Sequence, residues 1–157
     1  MKTKAISFYF DTTCAVKLFL KEEQEKGSAK LKEYLEKHEY KQYLSSSLIK
    51  LEWQSAFRAK LKGNQINSQQ MKKLEISWHE LISNMVIYPI DNNIIENATD
   101  IVKNTNVVGR VRSLDCIHLA TYLMFKRSNK DIILLSTDDV MCNLAKEYTG
   151  KYFNPLE

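Results

Sequence analysis

Short apolar runs alternate with stretches whose apolar residues recur every three or four positions, and the alternation persists to the end of the chain. Residues 5–10, Ala-Ile-Ser-Phe-Tyr-Phe, are apolar and aromatic-rich and read as a buried strand. Beyond Asp11, the residues Ala15, Val16, Leu18, Phe19 and Leu20 fall at helical spacing, and a second helix is predicted over 23–37 with Leu31, Tyr34 and Leu35 as its stripe. Residues 43–45 form a weaker strand candidate. Ser46 or Ser47 then suits the N-cap of a helix carrying Leu48, Leu51, Ala56 and Phe57, which Gly63-Asn64 ends. A long amphipathic helix is predicted over 68–85, with Met71, Leu74, Trp78, Leu81 and Ile82 on one face.

The second half repeats the alternation. A strand over 86–90 precedes a helix capped by Asp91, with Ile94, Ile95, Ala98, Ile101 and Val102 spaced for burial. A loop around Gly109 leads to Ser113, read as the cap of a helix reaching about Lys126. Residues 132–135, Ile-Ile-Leu-Leu, are the clearest strand. Thr137-Asp138-Asp139 opens a last helix over 140–148, closed by Gly150, and Tyr152-Phe153 reads as an edge strand. Strands separated by helices imply an α/β fold, a three-layer α/β/α sandwich around a mainly parallel sheet. No linker, repeat or low-complexity stretch divides the 157 residues, so one domain over 1–157 is expected.

Composition narrows this only slightly. Four glycines and two prolines argue against collagen-like and sandwich-type all-β folds. A formal charge of +4 permits a polyanionic partner without requiring one. Cys14, Cys116 and Cys142 are odd in number, far apart and set among apolar neighbours, which disfavours a disulfide framework or a zinc site and suits a reducing cytoplasm. His38, His79 and His118 have no metal-ligand spacing; after His79-Glu80, Ser83 stands where a second histidine would be needed. Lys2 and Lys4 precede too short an apolar run for a leader peptide, and no stretch approaches the roughly 18 apolar residues of a membrane helix.

Candidate chemistry lies with four acids. Sites in open parallel sheets form outside the C-terminal ends of the strands. Asp11 directly follows the first strand and Asp138 closely follows the 132–135 strand. Glu52 and Asp115 sit near the starts of their helices, which border the same edge. Each alone is readily a helix-start acid favoured by the dipole. Four together would repel one another and call for cations. Oxygen donors without histidine or cysteine suit Mg²⁺ or Mn²⁺, ions that hold phosphate oxygens and lower the pKa of bound water. That chemistry is phosphodiester hydrolysis.

The same residues carry a family resemblance. Residues 10–19, Phe-Asp-Thr-Thr-Cys-Ala-Val-Lys-Leu-Phe, resemble the opening of PIN domains, and residues 51–57, Leu-Glu-Trp-Gln-Ser-Ala-Phe, resemble their second motif. Residues 112–122, from Arg112 through Asp115 and His118 to Tyr122, are similar to R-x-x-D-x-x-H-L-A-x-A, the most specific of the four. Residues 135–138, Leu-Ser-Thr-Asp, match the final strand-plus-acid motif. Order and spacing agree over roughly residues 6–155, and the helical hairpin between motifs two and three resembles VapC-type toxins. The resemblance implies a metal-binding, catalytic quartet of Asp11, Glu52, Asp115 and Asp138, supported through hydrogen bonds by Thr12 or Thr13 and by Thr137. It also implies an endoribonuclease acting on RNA, a homodimer, and an antitoxin that wraps the enzyme. The sequence departs from the pattern at Thr13, which keeps a hydroxyl where serine is commoner, and at Tyr122, which replaces a small residue. Asp139 beside Asp138 leaves the fourth acid ambiguous; the offset from the strand favours Asp138. His118 reads as a hydrogen-bonded structural histidine.

Lys17, Lys50, Arg58, Lys60, Lys62, Arg110 and Arg112 lie near these elements, and Arg110 and Arg112 are the best candidates for RNA contacts because they immediately precede the Asp115 helix. Trp53 and Trp78 fall at helical spacing with other apolar residues, which favours core or partner contact over base stacking. Three other readings stand beside the toxin nuclease. One is a PIN fold without turnover that only grips RNA or protein, and another is an RNA-processing nuclease outside any toxin pair. The third, a phosphoacceptor domain, lacks the acidic pair it needs after the first strand, because residue 12 is threonine.

Overall fold

The computed structural model describes residues 5–157. The sequence reading at Lys2 and Lys4 lies outside the described residues.

Five strands form one sheet in the order β3-β2-β1-β4-β5, with every neighbouring pair parallel. They are β1 (Ile6–Phe10), β2 (Tyr40–Ser46), β3 (Met85–Tyr88), β4 (Ile132–Leu135) and β5 (Lys151–Phe153). The helices are α1 (Thr12–Lys17), α2 (Ser28–Glu36), α3 (Leu48–Lys62), α4 (Ser68–Ser83), α5 (Asn92–Asn104), α6 (Ser113–Ser128) and α7 (Asp139–Glu147). Alternate residues of β1 feed two cores: Phe8 and Phe10 pack among α1 to α4, and Tyr9 packs among α5 to α7. A strand covered on both faces needs a continuous apolar run, as residues 132–135 also show. The three-layer reading therefore holds.

The differences from the sequence reading have local causes. The helix expected over 23–37 begins only at Ser28, because Gly27 takes a left-handed conformation (φ 87°) in which an added Cβ would also meet Leu156 at 3.0 Å. The strand expected over 43–45 extends back to Tyr40, whose ring stacks on Tyr43 at 4.5 Å. Ser47 caps α3 by position without a side-chain bond, while the Ser46 hydroxyl accepts from the Leu48 N–H at 3.3 Å. Asn67, not singled out from sequence, caps α4 in a reciprocal box with Gln70. Arg112, not Ser113, holds the N-cap position of α6. Tyr122 is buried, and its hydroxyl accepts from the Lys151 N–H at 3.2 Å; Gly150 makes room, since a Cβ there would lie 2.8 Å from that hydroxyl.

One of the basic residues near the candidate site elements has a structural role. Lys17 is 3% exposed, with its ammonium 2.8 Å from Glu25 and 2.8 Å from the Lys26 carbonyl. Glu25 also binds Lys60 at 2.7 Å. Partial burial pushes the Glu25 pKa up, but its bonds to Lys17 and Lys60 outweigh this and hold it below the ordinary 4.5. A carboxyl depressed in this way stabilises the fold above its unfolded pKa and loses that contribution as pH falls through its folded pKa. Glu25→Gln is therefore expected to cost about 1–3 kcal/mol at neutral pH, less than breaking a fully buried pair because Glu25 stays partly exposed. Urea unfolding of both proteins should show the gap narrowing below pH 4.5, the ordinary carboxyl value. An unchanged gap at pH 3 to 4 would contradict the assignment.

Candidate active site

The strand order places the site. β1 sends its connection to β2 on one side and has β4 on the other, so a crevice opens beyond the C-terminal ends of β1 and β4. The register pairs Phe10 with Leu135, which sets Asp11 beside Ser136.

Asp11 is mostly buried and is the N-cap of α1. Its carboxylate accepts from the Thr12 backbone N–H at 2.7 Å, the Thr13 hydroxyl at 2.9 Å and the Ser136 hydroxyl at 2.6 Å. Glu52, at the start of the second turn of α3, accepts at a single oxygen from the Thr12 hydroxyl at 2.7 Å and from His118 Nε2 at 2.6 Å. His118 projects from α6, buried, with Nδ1 2.9 Å from the Tyr9 hydroxyl and Nε2 4.0 Å from Asp11. Burial pushes the His118 pKa down, but the bond to Glu52 and the charges of Asp11, Glu52 and Asp115 outweigh it and raise the pKa. Burial likewise pushes Glu52 up, and His118, Thr12 and Arg112 together hold it below the usual range. The pair is thus a short imidazole–carboxylate contact between a helix on one face of the sheet and a helix on the other.

Asp115 lies in the first turn of α6 and reaches back to Arg112. Its Oδ2 accepts from the Arg112 backbone N–H at 3.2 Å and from Nε at 3.1 Å, and its Oδ1 accepts from Nη2 at 3.2 Å. Asp138 caps α7 through Oδ1, which accepts from the N–H groups of Val140 and Met141 at 2.8 and 3.1 Å. Its Oδ2 accepts from Arg112 Nη2 at 2.6 Å. Asp139 turns away to Asn154 Nδ2 at 3.3 Å.

A pocket of about 370 Å³ is lined by Asp11, Thr12, Thr13, Glu52, Arg112 and Asp115 among others, with Glu25 and Lys60 on a further wall. Asp138 joins through Arg112 rather than lining the pocket directly. Three of the four acids thus share one pocket, and the fourth meets it through a guanidinium. Among the described residues, no three His, Cys, Asp or Glu side chains stand ready to hold a metal ion. Among the described residues, the Arg112 guanidinium and the His118 imidazole are the basic groups in contact with the four acids.

The other expected residues divide. Thr12 and Thr13 bond the acids directly. Thr137 instead contributes its backbone N–H, which donates to the Thr13 hydroxyl at 3.1 Å. Arg110 is exposed in the loop before α6, whereas Lys60 and Arg112 reach the pocket. Sequence reasoning missed Ser136 and Tyr9 as contacts. Ser136 had a signal, since the residue after β4 shares the edge with Asp11. Tyr9 had none, because a core tyrosine in a strand looks the same whether or not its hydroxyl meets a histidine.

The sequence model of the PIN domain family matches residues 8–147. No curated protein matches in sequence. In structure the chain is similar to a toxin-antitoxin complex from Klebsiella pneumoniae, at a TM-score of 0.55 and 19% identity over 97% of this chain and 98% of that one.

Proposed function

The chain belongs to the PIN domain family, and on that premise we propose that it is a Mg²⁺- or Mn²⁺-dependent endoribonuclease, the toxin of a toxin–antitoxin pair. The observation that carries this reading is the meeting of Asp11, Glu52 and Asp115 in one pocket, with Asp138 joined through Arg112. The donor chemistry fits a hard divalent cation: Asp11, Glu52 and Asp115 bring carboxylate oxygens to one pocket, Asp138 adjoins it through Arg112, and every side chain that would hold the ion offers oxygen. Asp11, Glu52, Asp115 and Asp138 would hold it. A bound ion supplies an activated water and neutralises charge developing on the phosphate.

The chain's own residues do the rest. Thr12, Thr13 and Ser136 fix the Asp11 carboxylate, and Thr12 with His118 fixes Glu52, so neither must reorganise as charge develops. Lys60 and Arg112 place positive charge on the pocket wall, where a phosphodiester backbone would lie. The similar toxin-antitoxin complex supports a protein antitoxin as partner; RNA as substrate and a homodimer belong to the same proposal. No helix among the described residues is long and apolar enough to cross a membrane.

The purified protein is expected to cleave structured RNA and to leave DNA of the same sequence intact. Excess EDTA should stop cleavage and added Mn²⁺ should restore it. Cleavage indifferent to EDTA would refute the metal mechanism. A short neighbouring reading frame for a DNA-binding antitoxin is expected. Its absence, with nuclease activity present, would leave an RNA-processing nuclease outside a toxin pair.

A further inference from the structure

Among the described residues, Arg112 makes every guanidinium contact to the carboxylates that would hold the ion. Its Nε and Nη2 embrace Asp115, and the same Nη2 reaches Asp138 at 2.6 Å. The two acids do not depend on that guanidinium for their positions. The backbone N–H of residue 112 holds Asp115 Oδ2, and the first turn of α7 holds Asp138 Oδ1. Side-chain exposure is 56% for Arg112, against 12% for Asp115 and 24% for Asp138. The arginine is therefore the exposed partner, held at its end by the two carboxylates, while the acids are also held from behind by backbone N–H groups.

We infer that Arg112 is a removable latch: its guanidinium occupies the cation's place between Asp115 and Asp138 and must swing out for a divalent ion to bind. The inference rests on the proposed metal-dependent reading and adds an internal competitor to it. Two cations compete for the same oxygens, Asp115 Oδ1 and Asp138 Oδ2. The ion's apparent affinity is then its intrinsic affinity multiplied by the fraction of molecules in which the latch is open, so an arginine docked about nine times in ten weakens binding about tenfold. The latch would also stabilise the metal-free protein by neutralising two carboxylates at adjoining helix starts, whose mutual repulsion would otherwise stand uncompensated.

The test is Mn²⁺ titration of the full chain by calorimetry, with Arg112→Gln and Arg112→Lys beside the wild type. R112Q is expected to bind Mn²⁺ at least about tenfold more tightly than wild type, and R112K, a point charge without the planar fork, to fall between. Without metal, R112Q should melt below wild type, and saturating Mn²⁺ should raise its melting temperature by more. A second readout needs no variant to bind metal. In wild-type protein the Arg112 Nε–H resonance, identified by its loss in R112K, should move on Mg²⁺ addition as Asp115 is released. Equal or weaker Mn²⁺ binding by R112Q, or an Nε–H signal unmoved by Mg²⁺ that binds, overturns the latch while leaving the nuclease reading intact. No binding by any of the three proteins at millimolar Mn²⁺ overturns the metal reading and the latch with it.

Discussion

Asp11→Asn is expected to abolish RNA cleavage while leaving the fold in place. The substitution removes one negative charge and little else. Asparagine caps a helix about as well as aspartate, so the start of α1 keeps its bond to the Thr12 N–H. The hydroxyls of Thr13 and Ser136 can rotate to accept from the new amide where they had donated. What is lost is an anionic oxygen at the point where the site would hold a cation, an interaction worth several kcal/mol of transition-state stabilisation, so the rate should fall at least about a hundredfold. Gel-resolved cleavage of a structured RNA gives the rate, and thermal melting of the same preparation checks the fold. Wild-type cleavage by D11N would place the chemistry elsewhere. Absence of cleavage by either protein, with RNA still bound, would favour a binding module without turnover.

Trp53→Ala is expected to be the most destabilising single change considered. Trp53 follows Glu52 on α3 and is fully buried. Its ring lies nearly parallel to Trp78 at 4.6 Å and against Phe57 at 4.2 Å, with the edge of Phe19 at 5.8 Å. Truncation leaves a cavity beneath three rings that cannot all collapse, at a cost of about 3–5 kcal/mol. Trp53→Phe separates the causes. The Nε1 atom of Trp53 is buried without a hydrogen-bond partner, so phenylalanine loses packing area but also removes an unsatisfied donor. The two effects oppose, and W53F should cost only about 1 kcal/mol. Urea unfolding midpoints give both numbers. W53A within 1 kcal/mol of wild type would show that this aromatic stack is not a stabilising centre of the first core.

The wall built by this stack bears on how much was legible beforehand. Trp53 and Trp78 at helical spacing pointed to core or partner contact rather than base stacking, and the structure decides for core, since both are buried. Likewise residues 132–135 form β4 at the predicted bounds, because an unbroken branched apolar run has few alternatives to a strand covered on both faces. Asp91 caps α5 as expected, since its carboxylate and the helix N–H groups lie within three residues. Interactions of short range leave their mark in local spacing. The ion pairs of Glu25 left none, because one of its two lysines, Lys60, lies 35 residues further along the chain.

By itself the sequence determined the alternation of strands and helices, the two-sided core, and the presence of acids just past strand ends and near helix starts. All of these follow from periodicity and from groups within a turn of one another. Only the tertiary structure decided which distant group meets each acid and the histidine beside them. His118 is 66 residues from Glu52 and 109 from Tyr9, Ser136 is 125 from Asp11, and Arg112 spans 26 residues to Asp138. Such contacts depend on strand order and register, and these are set by the packing of whole layers. Charge alone identifies acids that require compensation, whereas the folded chain selects the groups that compensate them.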